Sequence, residues 1–508
     1  MELVKENVTV NQVSCKGDTQ VLVDEDIIVP DVKPDILKIL QLDAVSCITN
    51  KEITNGRVNV TGRVDLKILY IPDSDREKVK SIITSFDFTQ NVDSKNITDA
   101  MTAIIMANVD RAEFSLINSR KLRIKVIVGL DYEVVAEKNV EIAVEAEDCD
   151  NAELLKENVK LQNCIGLTET EFSVKESIEV PNGQTSINEI LKVDTKISDS
   201  EYKAVTGKIV VKGEISVCVL YTDSDCCIQF MESEVPFTEI IDCDDAGDET
   251  ICDIDYSISD VRYQVAEDND GDNRIVDIDV TVTAQVKATE NVAVDMICDC
   301  YEPFTKTQLL KEEVVSRPSS QNTIREMVEM GTGTPSVSGV YDVITRPYIT
   351  KAQIQRGKLL AEGKIEAYIL YLTDSNESPV YSMKKELQFS YMLDCESTYS
   401  DLIPEIKAEV KHTAYNLNVA GEIEIRCILS LNANIIRKRK IELVNEVVTE
   451  PLENGDKNGI VIYFVQKGDN LWEIAKRYAV PQSEILRFNN MEKSDKLEIG
   501  NRLFIPSI

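Results

Sequence analysis

One stretch of this chain is written three times at a fixed distance. Val60-Thr61-Gly62-Arg63-Val64-Asp65-Leu66-Lys67-Ile68-Leu69-Tyr70 returns as Val211 to Tyr221 and again as Ala361 to Tyr371, so that Gly62, Gly213 and Gly363 stand 151 and 150 positions apart. Tyr70, Tyr221 and Tyr371 keep the same spacing, and so do the openings Leu3-Val4-Lys5-Glu6-Asn7-Val8 and Leu154-Leu155-Lys156-Glu157-Asn158-Val159, with Leu309-Leu310-Lys311-Glu312-Glu313-Val314 as a third version. Prolines at Pro30, Pro181 and Pro335 precede a further shared block, Ile36 to Asp43, Ile187 to Asp194 and, more loosely, Val337 to Ile344. A period this long defines a unit that can hold its own core, unlike the short repeat of a solenoid.

Within a unit the pattern is period two. Val58, Val60, Val64, Leu66 and Ile68 alternate with polar residues, and the Asp-Ser that follows each repeat tyrosine is turn chemistry that sends the chain back on itself. The fold class read from this is mainly β: three tandem antiparallel β-rich domains of about 150 residues, at 1–150, 151–305 and 306–449. Ile36 to Leu42 fits a short helix or a strand equally well. Residues 450–459, polar and glycine-bearing, read as a flexible linker on which a last module at 460–508 can swing.

That module changes chemistry within a few positions. Val461-Ile462-Tyr463-Phe464-Val465 is a strand, after which Leu471, Ile474, Ala475 and Tyr478 fall on one face of a helix capped by Asp469 or Asn470, with Glu473 placed for a capping box. Pro481 suits the first turn of a second helix burying Ile485 and Leu486, Asn489-Asn490 suits a left-handed stop, and Leu503-Phe504-Ile505-Pro506 closes the unit as a strand. In this βααβ order, Tyr463-x-Val465-x-x-Gly468-Asp469-Asn470-Leu471-Trp472-x-Ile474-Ala475 with Leu497-x-x-Gly500-x-x-Leu503-x-Ile505-Pro506 closely resembles the LysM family. The resemblance implies a shallow groove for N-acetylglucosamine-containing glycans such as peptidoglycan or chitin, lined by Gly468, Asp469, Asn470, Leu471, Asn489, Asn490 and Met491. Read without it, Leu471, Trp472, Ile474 and Ile485 are core, and Gly468 is a turn residue.

Composition narrows the function. A net charge of −34 repels nucleic acid, and the acidity sits outside the last module, which carries seven Lys/Arg against six Asp/Glu from Ile460 onward. The first residues hold charges and no apolar run, no stretch approaches the ~20 apolar residues of a membrane span, and thirteen scattered cysteines fit a reducing compartment. The expectation is a cytoplasmic chain, for which peptidoglycan is out of reach unless an envelope is built from inside a cell.

Catalytic patterns are missing: no phosphate cradle and no nucleophile elbow, and His412 alone, on a strand pattern, as a base. Cys226-Cys227, Cys243, Cys252, Cys298 and Cys300 lack zinc-knuckle spacing, and Asp268-Asn269-Asp270-Gly271-Asp272-Asn273 fails the calcium-loop register, so neither metal nor cofactor is expected. Long repeats ahead of a LysM module, in a chain of this kind, resemble the LysM-containing spore coat morphogenetic proteins of endospore-forming clostridia, and the repeats resemble a clostridial domain of unknown function. That resemblance implies a non-enzymatic scaffold at the forespore surface, tethering a SpoIVA-like coat ATPase through the LysM module by protein–protein contact. A glycan-binding envelope protein is the alternative, and a wall hydrolase the weakest reading.

Overall fold

The structure, a computed structural model, describes residues 2–507 apart from 75–76, 148–150, 317–318, 332–336, 356, 374–379, 395–401, 419–421, 438, 452–458 and 493–496. Pro335, most of the third Asp-Ser turn and most of the linker read at 450–459 lie outside the described residues.

Unit one holds β1 (Glu2–Ile28), β2 (Ile36–Thr54), β3 (Arg57–Pro72), β4 (Lys80–Asp93), β5 (Thr102–Asn118) and β6 (Lys121–Glu147). They form two antiparallel three-stranded sheets, β1-β6-β5 and β2-β3-β4, packed face to face on Val64, Leu66, Ile68, Ile124, Val126 and their neighbours. Unit two repeats this with β7 (Glu153–Glu179), β8 (Glu189–Val205), β9 (Lys208–Thr222), β10 (Ile228–Asp242), β11 (Ile251–Glu267) and β12 (Asn273–Tyr301). Unit three has β13 (Thr305–Ser316), β14 (Ser319–Gly331), β15 (Val337–Gln355), β16 (Lys358–Thr373), β17 (Val380–Asp394), β18 (Leu402–Leu417), β19 (Ile423–Arg437) and β20 (Arg439–Pro451), its long outer pair divided in two. The Ile36 block is strand, since β2 pairs with β3 along its length and pairing decides what so short an apolar run leaves open.

The repeated residues have structural causes. Gly62, Gly213 and Gly363 each lie opposite a phenylalanine on the next strand, Phe88, Phe237 and Phe389. A β-carbon on Gly62 or Gly363 would overlap that ring and a carbonyl oxygen of the strand on the other side, which is why the position carries no side chain. Tyr70 donates to Pro34 O at 3.1 Å and Tyr221 to Thr185 O at 3.2 Å, each tying the loop after the first strand of its unit to the central strand. His412 is an exposed residue of β18, and Asp268 to Asn273 is a hairpin turn in which Asp268 Oδ1 accepts from the amides of Asp270 and Asp272.

Beyond the reach of β5, β1 and β6 continue as a two-stranded arm, as do β7 with β12 and β13 with β20. The arms meet. Val140, Val294 and Ile441, with Ile142, Met296 and Leu443, are equivalent positions of the three units and share one apolar cluster. A second such cluster joins Leu69, Leu220 and Leu370 with Leu40 and Leu191. Each unit therefore has its own core, as its length implied, and all three also close around common ones.

Charges complete the closure. Gln41, Lys192 and Asp342 occupy one position in the three units, facing Leu69, Leu220 and Leu370 in register. Lys192, 2% exposed, bonds Asp342 at 2.6 Å and Asp194 at 2.5 Å. Lys67 of unit one reaches Asp194 of unit two at 2.8 Å, and Arg346 of unit three reaches Asp43 of unit one at 2.6 Å. Each junction of the ring thus has its own ion pair. Burial would pull the Lys192 ammonium down, but Asp194 and Asp342 outweigh it and hold it well above its usual range. A chamber of about 1290 Å³ lies between the units, and the cations lining it include Lys407, which is bonded to Asp255 at 2.6 Å.

Candidate functional site

The last module is β21 (Gly459–Phe464), α1 (Leu471–Tyr478), α2 (Gln482–Asn489) and β22 (Arg502–Ser507). β21 and β22 pair antiparallel, and the helices close over Val465, Ile474, Ala475, Val480, Ile485, Leu503 and Ile505.

Most of the residues expected to line a groove are at work inside the module. Gly468 turns at φ +95°, in the left-handed region that favours glycine. Asp469 accepts from the Tyr463 hydroxyl at 2.7 Å and the Gln466 amide at 2.8 Å, and the Tyr463 bond holds its carboxyl below the ordinary range. Asn470, not Asp469, is the helix cap, accepting from the Glu473 amide at 2.7 Å. Asn489 spans three bonds of 2.7 Å, donating to Ile485 O and Phe504 O and accepting from Phe504 N, which locks α2 to β22. Asn490 ends α2 at φ +52°, exposed, as the left-handed stop. Leu471 and Met491, half-buried, pack against the same core and so bring the two loops of the expected groove onto one body.

Two features were not singled out from the sequence. The outer face of the two-stranded sheet is apolar and open: Ile460 (58% exposed), Ile462 (54%) and Phe464 (58%) alternate along β21, and Phe504 stands opposite Ile462. Their alternation was visible as strand pattern, but which face lay against the helices was not. The other is that the module sits on unit two. Trp472 Nε1 donates to Asp299 Oδ2 at 2.8 Å, Lys476 pairs with Asp299, and Tyr301 is buried among the module's own core residues. Trp472, expected in the core, is half-buried and packs edge-on against Tyr301 with ring centroids 5.2 Å apart. The module thus touches unit two through Trp472 and Lys476.

Compared with known families, residues 35–117, 186–266 and 336–418 match the SipL, SPOCS domain, and residues 463–506 the LysM domain. No curated protein and no solved structure matches. The SPOCS matches span β2 to β5, β8 to β11 and β15 to β18, leaving out the strands that form the arms. Fold and matches together define a sporulation-related, mostly β protein that carries a peptidoglycan-binding type of module, its two families being binding domains. With three SPOCS domains and a C-terminal LysM domain, the chain has the make-up of a SipL-like, LysM-containing sporulation protein. No described helix is long and apolar enough to cross a membrane.

Proposed function

We propose that this chain is a non-catalytic adaptor of spore coat assembly, acting in the mother cell at the forespore surface and tethering a SpoIVA-like coat ATPase through its LysM module. One observation carries the choice of a protein partner. The amide and carboxylate side chains that a glycan groove would use at Asp469, Asn470 and Asn489 are spent on caps and strand ties, whereas Ile460, Ile462, Phe464 and Phe504 expose a continuous apolar face. Such a face rimmed by polar residues suits protein contact.

The glycan reading retains support from the LysM match itself and from Gly468, Asn490 and Met491, which remain at the module's surface. The two separate cleanly with full-length protein. Capture of the coat ATPase, lost on Ile462→Ser with circular dichroism unchanged, and no heat with chitin oligomers in calorimetry, is the expected result. Micromolar affinity for the oligomers without a protein partner overturns the adaptor reading.

A further inference from the structure

The three arms end in equivalent positions, because their registers match: Val4 faces Glu145, Leu155 faces Asp299 and Leu310 faces Glu446. Two residues on, Glu147, Tyr301 and Val448 are likewise equivalent, facing Glu2, Glu153 and Gln308. The body therefore offers three related ends to one terminal module. Only the second combines a carboxylate with an aromatic ring.

That combination is what the module uses. Tyr301, 2% exposed, fills a place in the module's core and donates its hydroxyl to Val480 O at 3.0 Å. Asp299 takes the Trp472 indole and the Lys476 ammonium on separate oxygens, so its charge is matched and both oxygens are engaged. Glu153, on the neighbouring strand, accepts twice from Gln482: from the backbone amide at 3.2 Å and from Nε2 at 3.1 Å. Phe304 N donates to Ala479 O at 2.8 Å, and both residues are left-handed without being glycine, at φ +66° and +51°. Ala479 takes that conformation as the C-cap of α1, so the Phe304 amide meets the module where its first helix ends. At the first arm an acid, Glu147, stands where the ring would have to be buried, and at the third Val448 lacks both ring and hydroxyl.

We propose that the end of the second unit is a dedicated seat that carries the LysM module as a fixed head, with its expected groove and its apolar sheet face directed away from the body. Among the described residues, the polar contacts of the module with the body run through Trp472, Lys476, Ala479, Val480 and Gln482, and none runs through Gly468 to Leu471 or Asn489 to Met491. The seat goes beyond the adaptor reading and holds whether the groove takes protein or glycan.

Trp472 is the only tryptophan in the chain and lies in the seat, so its fluorescence reports docking directly. In the intact full-length protein, time-resolved anisotropy is expected to show the indole tumbling at the slow rate of the whole body. Asp299→Ala combined with Glu153→Ala removes seat contacts without touching the module. It should add a fast component and raise acrylamide quenching at least twofold, with far-ultraviolet circular dichroism unchanged. The matched pair on the first arm, Glu145→Ala with Glu2→Ala, should change neither reading. Tyr301→Glu, which installs the first arm's residue, should release the module as fully; if it also lowers the module's helix signal, the Asp299/Glu153 pair still decides. A fast component already present in the unmodified protein, or equal responses from both arms, overturns the seat whatever the module binds.

Discussion

Lys192 is a cation with almost no access to water, placed where three units meet. Lys192→Ala leaves Asp342 buried without its counter-charge and Asp194 with Lys67 alone, and a loss of about 3–5 kcal/mol in unfolding free energy is expected. Lys192→Met with Asp342→Leu should recover much of that loss, since buried pairs are replaced by apolar residues at little cost; urea titration at neutral pH compares the two. Acid supplies an independent check. Burial would raise the Asp194 carboxyl, but Lys192 and Lys67 more than reverse this and bring it from the ordinary 3.8 to about 2. Its contribution, roughly 2 kcal/mol, is thus complete above the ordinary value and lost as pH falls from there through about 2, against an opposite effect from Asp342, whose carboxyl burial raises. Asp194→Asn should therefore flatten the fall in unfolding free energy between pH 5 and pH 2. Gly363→Ala, which sets a methyl against the Phe389 ring and the Tyr348 carbonyl, should lower the melting temperature by the equivalent of about 1–3 kcal/mol.

At the scale of elements, the module's helices depend on two asparagines that resemble ligand contacts in sequence. Asn489→Ala removes two bonds between α2 and β22 and one within α2, and leaves the Phe504 amide and carbonyl without that partner, which should cost roughly 2–3 kcal/mol. Asn470→Ala removes only the α1 cap and should cost about 1 kcal/mol. Thermal unfolding followed at Trp472 ranks them, and a reversed order would place the module's weak point at α1. The strands were legible because alternation over many residues has no helical counterpart, and the helices because Asn470, Pro481 and Asn490 punctuate them. The division of labour among polar residues was not legible, since Asp469 and Asn470 are adjacent and either side chain suits a cap. Asp299 and Tyr301 were hidden for another reason: in sequence they are one more acid and one more apolar residue at the end of a long strand.

For the molecule as a whole, unit size and number were readable from the spacing of Gly62, Gly213 and Gly363, but closure into a ring was not. The pairs that close it, Lys67 with Asp194 and Arg346 with Asp43, lie 127 and 303 residues apart, and no local pattern marks either partner. Closure predicts a single cooperative calorimetric transition for the three units. Leu69→Ala, at a core all three share, should lower that whole transition by about 2–5 kcal/mol and not peel off unit one alone. The shared clusters also impose an order on biosynthesis. Leu40, Leu69, Val140 and Ile142 are made early, yet their partners Leu370, Ile441 and Leu443 leave the ribosome only near the end. Until then a nascent chain carries sticky, half-finished faces, so a chaperone that shields apolar surface should bind ribosome-arrested chains ending before residue 370 and let go of the finished one.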